Sequence, residues 1–203
     1  MTDVTKHTVL LAVALLIHIH TDAQYFKGGL QAGLLASQVD GDNMEGYHKP
    51  GLYCGAFAAC PFKGDRFELQ AGIDYMQKGS KATNRRSEDE LNLFHLTFHQ
   101  IGLPVLFKWN FHENCWMEAG CSMNVTTSVM IRRDGTLYRN KPDNDTYRQF
   151  ELGVICGLQW ELRPHWSLHM RFLYSLTPVG KSHYRSIGLR NNSLLLGISY
   201  TFY

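Results

Sequence analysis

The feature that most constrains this chain is the alternation of apolar and polar residues along almost all of it after residue 24. No segment there shows a convincing helical period. Residues 67–76, 150–162 and 191–203 all alternate in this way. In residues 166–177, the apolar face consists of Trp166, Leu168, Met170, Phe172, Tyr174 and Leu176. Successive side chains of a strand point to opposite faces, so this period predicts an all-β chain.

We predict eight strands, near residues 25–37, 50–61, 66–78, 92–110, 115–131, 147–162, 166–177 and 191–203. In the fourth strand the apolar phase slips between Phe98 and Ile101, and Pro104 follows. We therefore expect a bulge or a strained edge in that strand. The second strand has a poorly defined phase, so its facing stays open.

Short and long connections alternate between these strands. The short ones are residues 61–65, 111–114 and 163–165, and the long polar ones are 38–49, 79–91, 132–146 and 179–190. Strict alternation places all long loops at one end of an up-and-down meander and both termini at the other end. An even number of strands can close without a free edge. The predicted fold is an eight-stranded antiparallel up-and-down β-barrel.

The N-terminus has the pattern of an export signal. Lys6 and His7 precede the apolar run 8–17, and a small residue, Ala23, stands before Gln24. This order is typical of a secretory signal peptide, and the run is too short to span a bilayer as a helix. We predict cleavage between Ala23 and Gln24, with a signal peptide over 1–23 and a barrel domain over 24–203. An uncleaved anchor is the alternative.

Aromatic residues indicate which face of the barrel meets lipid. The girdle that we predict at the short-turn end consists of Trp109, Trp116, Trp160, Trp166 and Phe202. A second aromatic band, with Tyr75, Phe150 and Tyr174, lies about 10 residues further along the strands, and two such bands are typical of the girdles of membrane barrels. We therefore predict a transmembrane barrel of the outer membrane. A soluble barrel that binds an apolar ligand inside is an alternative.

The polar face of the strands would then line the barrel. A charged side chain is costly on a lipid-facing surface, so the charged residues are predicted to point inward. The predicted interior network consists of Glu68, Asp74, Glu118, Glu151, Glu161, His169 and Arg171. Buried charges need partners, so we expect Arg171 and His169 to face some of the acidic residues. An ion-conducting file through the interior is the alternative.

Four segments resemble the PorT-like outer-membrane β-barrel domain of Bacteroidetes. They are residues 27–34 with 41–51 (KGGLQAGL, GDN and GYHKPG), 67–79 (FELQAGIDYMQKG), 101–106 (IGLPVL) and 196–202 (LGISYTF). The resemblance covers nearly all of the chain after the predicted signal, and its motifs are structural. It implies an outer-membrane barrel without catalytic residues. Tyr203 departs from the family pattern because it extends one residue past Phe202.

The sequence contains no motif that assigns catalysis, a cofactor or a metal. It lacks the nucleophile-elbow, zinc-protease, phosphate-loop and dinucleotide patterns. The five cysteines form no metal-ligand spacing, and we interpret them as small residues of the barrel wall. The formal net charge of +2 is too small for a nucleic-acid partner. We therefore expect no catalytic, cofactor-binding or metal-binding residues.

The long loops are the expected functional surface. The last loop is basic, with Lys181, Arg185 and Arg190, and cationic loops suit the phosphates of lipopolysaccharide. We predict a non-enzymatic outer-membrane protein with a structural or surface-interaction role and with periplasmic termini. Expected partners are outer-membrane lipid, lipopolysaccharide, the barrel-assembly machinery during insertion and an unidentified surface or secretion-complex partner. The alternative function is a narrow porin-like channel.

Overall fold

The computed structural model describes residues 26–40, 49–62, 64, 66–87, 90–133, 136–140, 147–180 and 190–202. The predicted cleavage site at Ala23 and Gln24 lies outside these residues, as do loop segments 41–48 and 181–189. Within the described ranges, no helix is long and apolar enough to cross a membrane.

Nine antiparallel strands make up the described structure. They are β1 (Lys27–Asp40), β2 (Lys49–Phe62), β3 (Phe67–Ser87), β4 (Glu90–His112), β5 (Cys115–Arg133), β6 (Thr136–Asn140), β7 (Phe150–Arg163), β8 (Trp166–Ser175) and β9 (Arg190–Phe202).

Eight of these strands close into a barrel. The order is β4-β3-β2-β1-β9-β8-β7-β5, and β4 pairs with β5 to complete the ring. β1 lies between β2 and β9, with Gly33 opposite both Tyr53 and Gly197. β6 stands outside the ring and pairs with the far end of β5 alone. The predicted eight-stranded antiparallel barrel is confirmed.

Two of the predicted long loops contain strands. The connection predicted at 79–91 is mostly strand, because β3 continues to Ser87 and β4 begins at Glu90. The connection predicted at 132–146 contains β6. Both predictions were wrong because they took polar composition as a loop signal. Paired strands in water satisfy their backbone groups without an apolar face.

The two ends of the barrel differ. Short turns at 63–66, 113–114 and 164–165 join strands at the end where β1 starts and β9 finishes; we call this the short-turn end. The segments 41–48, 88–89, 134–149 and 176–189 join strands at the opposite end, which we call the long-connection end.

The outer wall carries the apolar side chains. On β3, β4 and β5, cross-strand rows of outward residues run from Phe67–Trp109–Met117 to Tyr75–Ile101–Val125. Eight residue steps separate Phe67 from Tyr75, which is about 27 Å along a strand and about 20 Å of height at the usual barrel tilt. A membrane barrel carries an apolar band of about 25 Å. The outer wall therefore has the height and composition of a lipid-facing surface.

The expected phase slip in the fourth strand does not occur in β4. Its inward positions continue without interruption from Leu96 through Phe98 to Leu106, and Pro104 is one of them. The irregularity is on β5, where Thr127 is an extra residue between the partners of His99 and Gln100. Phe98 is apolar yet inward because it belongs to an apolar cluster inside the barrel. The second strand, whose facing was open, points Tyr53 inward and Leu52 outward.

A charge at the middle of the outer band tests this facing. We expect Val105→Arg to lower the free energy of unfolding in phospholipid vesicles by about 2–4 kcal/mol, because the charge is placed at mid-membrane depth. Leu137→Arg is the matched control, since Leu137 is equally outward but lies on β6, outside the barrel. Denaturant titration followed by tryptophan fluorescence measures both. Equal effects of the two substitutions would contradict the assigned band.

Candidate functional site

The interior near the short-turn end contains a buried ionic cluster. Arg171 on β8 donates two hydrogen bonds across the barrel to Glu118 on β5, from Nε to Oε2 at 2.6 Å and from Nη2 to Oε1 at 3.1 Å. Lys108 on β4 lies 3.3 Å from Glu118 Oε1 and 3.4 Å from Glu68 Oε1. Lys108 also donates to Gln159 at 2.8 Å. Each charge in this cluster therefore has an opposite partner, as burial requires.

Arg171 extends this cluster to the other side of the barrel. Its Nη1 donates to Gln31 Oε1 at 3.1 Å and to the Tyr53 hydroxyl at 3.3 Å. Gln31 and Tyr53 in turn donate to the two carboxylate oxygens of Asp74, at 2.7 and 2.8 Å. One guanidinium thus connects side chains of β1, β2, β3, β5 and β8, which are far apart in the chain.

A second polar cluster surrounds Glu151 nearer the long-connection end. Its Oε1 accepts hydrogen bonds from Lys78 at 2.8 Å and from Asn124 at 3.2 Å. Its Oε2 accepts from Gln100 at 2.8 Å and from Asn191 at 2.6 Å. These four donors come from β3, β5, β4 and β9. A single carboxylate on β7 therefore connects side chains from five of the eight barrel strands.

An apolar layer separates the two polar clusters. On β8, Leu173 lies two residues beyond Arg171, and on β3, Met76 lies between Asp74 and Lys78. The layer consists of Leu35, Tyr53, Met76, Leu106, Ile155, Leu173 and Leu195. A second apolar cluster closes the interior above Glu151, and it consists of Val39, Leu96, Phe98, Val129, Tyr147 and Val179. The described interior thus has two polar layers and two apolar layers.

Small residues make room for the large polar side chains. His169 is fully buried and stands edge-on to Tyr53, with ring centroids 6.3 Å apart. A Cβ atom at Gly197 would lie 2.5 Å from His169 Nε2, and one at Gly157 would lie 2.9 Å from Arg171 Cγ. An eight-stranded barrel has an interior just wide enough for its side chains, so large residues need small ones opposite.

The predicted interior residues are distributed as follows. Glu68, Asp74, Glu118, Glu151, His169 and Arg171 are buried inside the barrel, while Glu161 is only partly buried, near the short-turn end. Arg171 pairs with Glu118 as expected. His169 interacts with Glu118 through space only, because neither of its ring nitrogens has a hydrogen-bond partner among the described residues.

The sequence analysis missed the two lysines of the interior. Lys78 and Lys108 are 2% exposed and form ion pairs with Glu151 and Glu118. The strict alternation of side chains between the two faces of a strand, which we call strand parity, could have identified them. Lys78 is on the same face as Asp74, and Lys108 is on the same face as Leu106. The sequence analysis assigned neither lysine to a face.

The aromatic girdle requires one correction. Trp109, Trp160, Trp166 and Phe202 point outward, with Trp166 and Phe202 both packed on Tyr200 at 5.0 and 5.5 Å between ring centroids. Trp116 is only 5% exposed and points into the barrel. It is two residues from Glu118 on the same face of β5. The prediction relied on its nearness to a turn, and strand parity decides its direction.

Among the described residues, no three His, Cys, Asp or Glu side chains come together as a metal site. Cys54, Cys121 and Cys156 lie on the outer wall, where their small side chains are part of the apolar surface.

Closure, an apolar exterior and a paired polar interior define an outer-membrane β-barrel. Residues 14–180 match the family described as "Outer membrane protein beta-barrel domain". The match covers most of the chain, which therefore belongs to this family.

Solved structures show the same fold. Ail, the attachment invasion locus protein of Yersinia pestis, aligns over 87% of this chain and 99% of its own, with a TM-score of 0.54 and 12% identity. Neisserial surface protein A aligns over 87% of this chain and 97% of its own, with a TM-score of 0.52 and 14% identity. No curated protein sequence matches this chain at a significant level. The soluble-barrel alternative is wrong, because it requires the apolar side chains inside.

The Arg171–Glu118 pair offers a test of the interior network. We expect Arg171→Met to cost about 3–5 kcal/mol of unfolding free energy, because it leaves Glu118 buried with less compensation. The double variant Arg171→Met with Glu118→Met should recover much of this loss. Denaturant unfolding of the single and double variants gives the coupling energy. Strictly additive losses would mean that the pair does not act as a unit.

Proposed function

We propose that this protein is a non-enzymatic anchor of the outer membrane that presents its long-connection end to partners outside the cell. The observation that carries this proposal is the packed interior. Among the described residues, one apolar cluster around Leu106 and another around Phe98 alternate with the two polar clusters, and the main charges of each polar cluster are paired. A barrel with such an interior is suited to holding a position in the membrane.

The long-connection end supports a role in surface contact. Twelve residue steps of β3 extend beyond Tyr75, the last residue of the apolar band, to Ser87. This is about 40 Å along the strand. β4, β5 and β6 continue beside it. Together they form a wall that rises above the lipid band on one side of the barrel, while the opposite end has only short turns.

The proposed anchor also requires export of the chain and its assembly into the outer membrane. A signal peptide over residues 1–23 would be cleaved between Ala23 and Gln24, and the barrel-assembly machinery would insert residues 24–203 with both termini in the periplasm. The sequence resemblance supports membership in the PorT-like group of Bacteroidetes. Insertion would place the outer wall against lipid and lipopolysaccharide, and the remaining proposed partner is an unidentified surface or secretion-complex protein.

The narrow-channel alternative has less support. Ions would have to cross the layer formed by Leu35, Met76, Leu106, Ile155, Leu173 and Leu195. Charged groups pay a high desolvation cost in such surroundings. On each side of this layer the charged residues pair within their own cluster, Lys78 with Glu151 on one side and Arg171 with Glu118 on the other. Such pairing is typical of a structural network.

Conductance measurements separate the anchor from the channel. In planar bilayers, we expect no stepwise currents from the wild-type protein. Met76→Ser combined with Leu106→Ser should admit water into the apolar layer and produce small currents. Val105→Ser is the control, because Val105 neighbours Leu106 but points outward. Regular single-channel steps from the wild-type protein would contradict the anchor.

Shortening the long connections tests surface contact. The segment from Lys181 to Arg190 is basic in sequence, which favours an anionic partner. Ail, which has a similar fold, is named for attachment and was solved with the heparin analogue sucrose octasulfate. We expect replacement of 41–48 and 181–189 by Asn-Gly turns to reduce adhesion of whole cells to heparin-coated surfaces to the level of cells that lack the protein.

The matched control for this experiment changes charge and keeps length. Lys181→Gln with Arg185→Gln should lower adhesion partially if the anionic contact is made there. A folded band that shifts on boiling, found in the outer-membrane fraction, verifies that each variant is inserted. Undiminished adhesion of an inserted, loop-shortened variant would contradict the proposed role.

A further inference from the structure

The outer wall of β3, β4 and β5 changes character just above the apolar band. Tyr75 lies in the last apolar row, and its hydroxyl is 2.6 Å from His99 Nδ1. Gln77 donates to the same hydroxyl at 3.0 Å. Tyrosines with a polar tip are typical of the membrane–water interface. The row that contains Gln77 and His99 therefore marks the boundary of the lipid tails.

Three basic residues stand in register above this boundary. Lys81 on β3 is opposite His95 on β4, and His95 is opposite Arg132 on β5. All three are on the outward face, since the inward neighbours Ser80 and Leu96 are buried. Adjacent strands are about 4.8 Å apart, so three side chains that can carry positive charge lie within about 10 Å of one another. We call these residues the basic row.

The two charged side chains of the basic row, Lys81 and Arg132, stand on either side of His95. They are about 10 Å apart across two strand spacings, so one anion between them would contact both. The described residues of this face offer no carboxylate in the row or in the row beneath it, which contains Gly79, Thr97 and Met130. The pKa of His95 is below its ordinary value because of burial and the positive charge of Lys81, Lys49 and Arg132.

The basic row lies just beyond the level of the lipid headgroups. Four residue steps separate His99 from His95, which is about 13 Å along the strand and about 10 Å of height at the usual tilt. The headgroup region extends roughly 5–8 Å beyond the lipid tails. Lys and Arg side chains are long enough to bend toward it. Headgroup phosphates are therefore anions that these side chains would reach.

We infer that Lys81, His95 and Arg132 bind the phosphate groups of an anionic glycolipid in the outer leaflet. The guanidinium of Arg132 and the ammonium of Lys81 would make charge-assisted hydrogen bonds to the phosphate oxygens. His95 would donate a further hydrogen bond between them. Leu137, opposite Arg132 on β6, extends the same row with an apolar side chain. The inference rests on the proposed orientation, in which the long-connection end is outside the cell.

The test uses the full protein in lipid nanodiscs of defined composition. The discs contain phosphatidylcholine alone, or with diphosphoryl lipid A, or with lipid A from which the phosphates have been removed. We expect only diphosphoryl lipid A to raise the unfolding temperature of the wild-type protein, because a ligand of the folded state stabilises it. Lys81→Gln with Arg132→Gln should abolish this rise and weaken lipid A binding, titrated by native mass spectrometry, by about tenfold or more.

The matched control removes the same charge elsewhere. Arg66→Gln with Arg163→Gln neutralises two exposed residues at the short-turn end and should keep the rise. The single variants Lys81→Gln and Arg132→Gln should each lose part of it, which provides a measurement if the double variant does not fold. A full rise in Lys81→Gln with Arg132→Gln, or an equal loss in the control, would overturn the site. Equal stabilisation by inorganic phosphate would overturn its assignment to a lipid.

Failure of this site and failure of the proposed function give different results. A protein absent from the outer-membrane fraction would contradict the anchor itself. A protein that is inserted there but gains nothing from diphosphoryl lipid A would contradict the basic row alone.

Discussion

Closure of the sheet between β4 and β5 is the constraint on which the rest of this structure depends. A bilayer offers no water to an unpaired backbone group, so a strand protein can cross it only as a ring without edges. The ring fixes an inside and an outside for every strand. Leu103 and its apolar neighbours therefore face the lipid. Arg171, Glu118 and Glu151 lie in an interior that is only wide enough for side chains.

The interior solves the resulting electrostatic problem by pairing charges from distant strands. Glu151 is met by donors from four strands, and Arg171 contacts residues of β1, β2 and β5. Because a buried charge without a partner is strongly destabilising, each of these contacts favours the correct closure over other pairings of the strands. The apolar layers around Leu106 and Phe98 fill the remaining space. The same contacts hold the ring together and occupy its interior, which fits the proposed role as an anchor.

The errors in the sequence-based predictions have a common cause. Trp116 was assigned to the girdle from its distance to a turn, Phe98 was taken as evidence of a phase slip, and residues 79–91 were read as a loop from their polarity. In each case the composition of a short segment was given more weight than strand parity. In β4 the alternation of faces continues from Lys108 to Leu96, beyond the apolar band, whereas in β5 the extra residue Thr127 shifts it by one position. The missed lysines, Lys78 and Lys108, follow the same parity.

The sequence by itself determined the strand period, the number of barrel strands, the approximate positions of the short turns and, for the strands with clear alternation, the side that faces lipid. These properties depend on neighbours one or two residues apart, which a sequence displays directly. Only the tertiary structure decided which charge pairs with which, that apolar clusters alternate with polar ones in the interior, and that Lys81, His95 and Arg132 stand in one row. Such properties depend on the register between strands, and register is set by the closure of the whole ring.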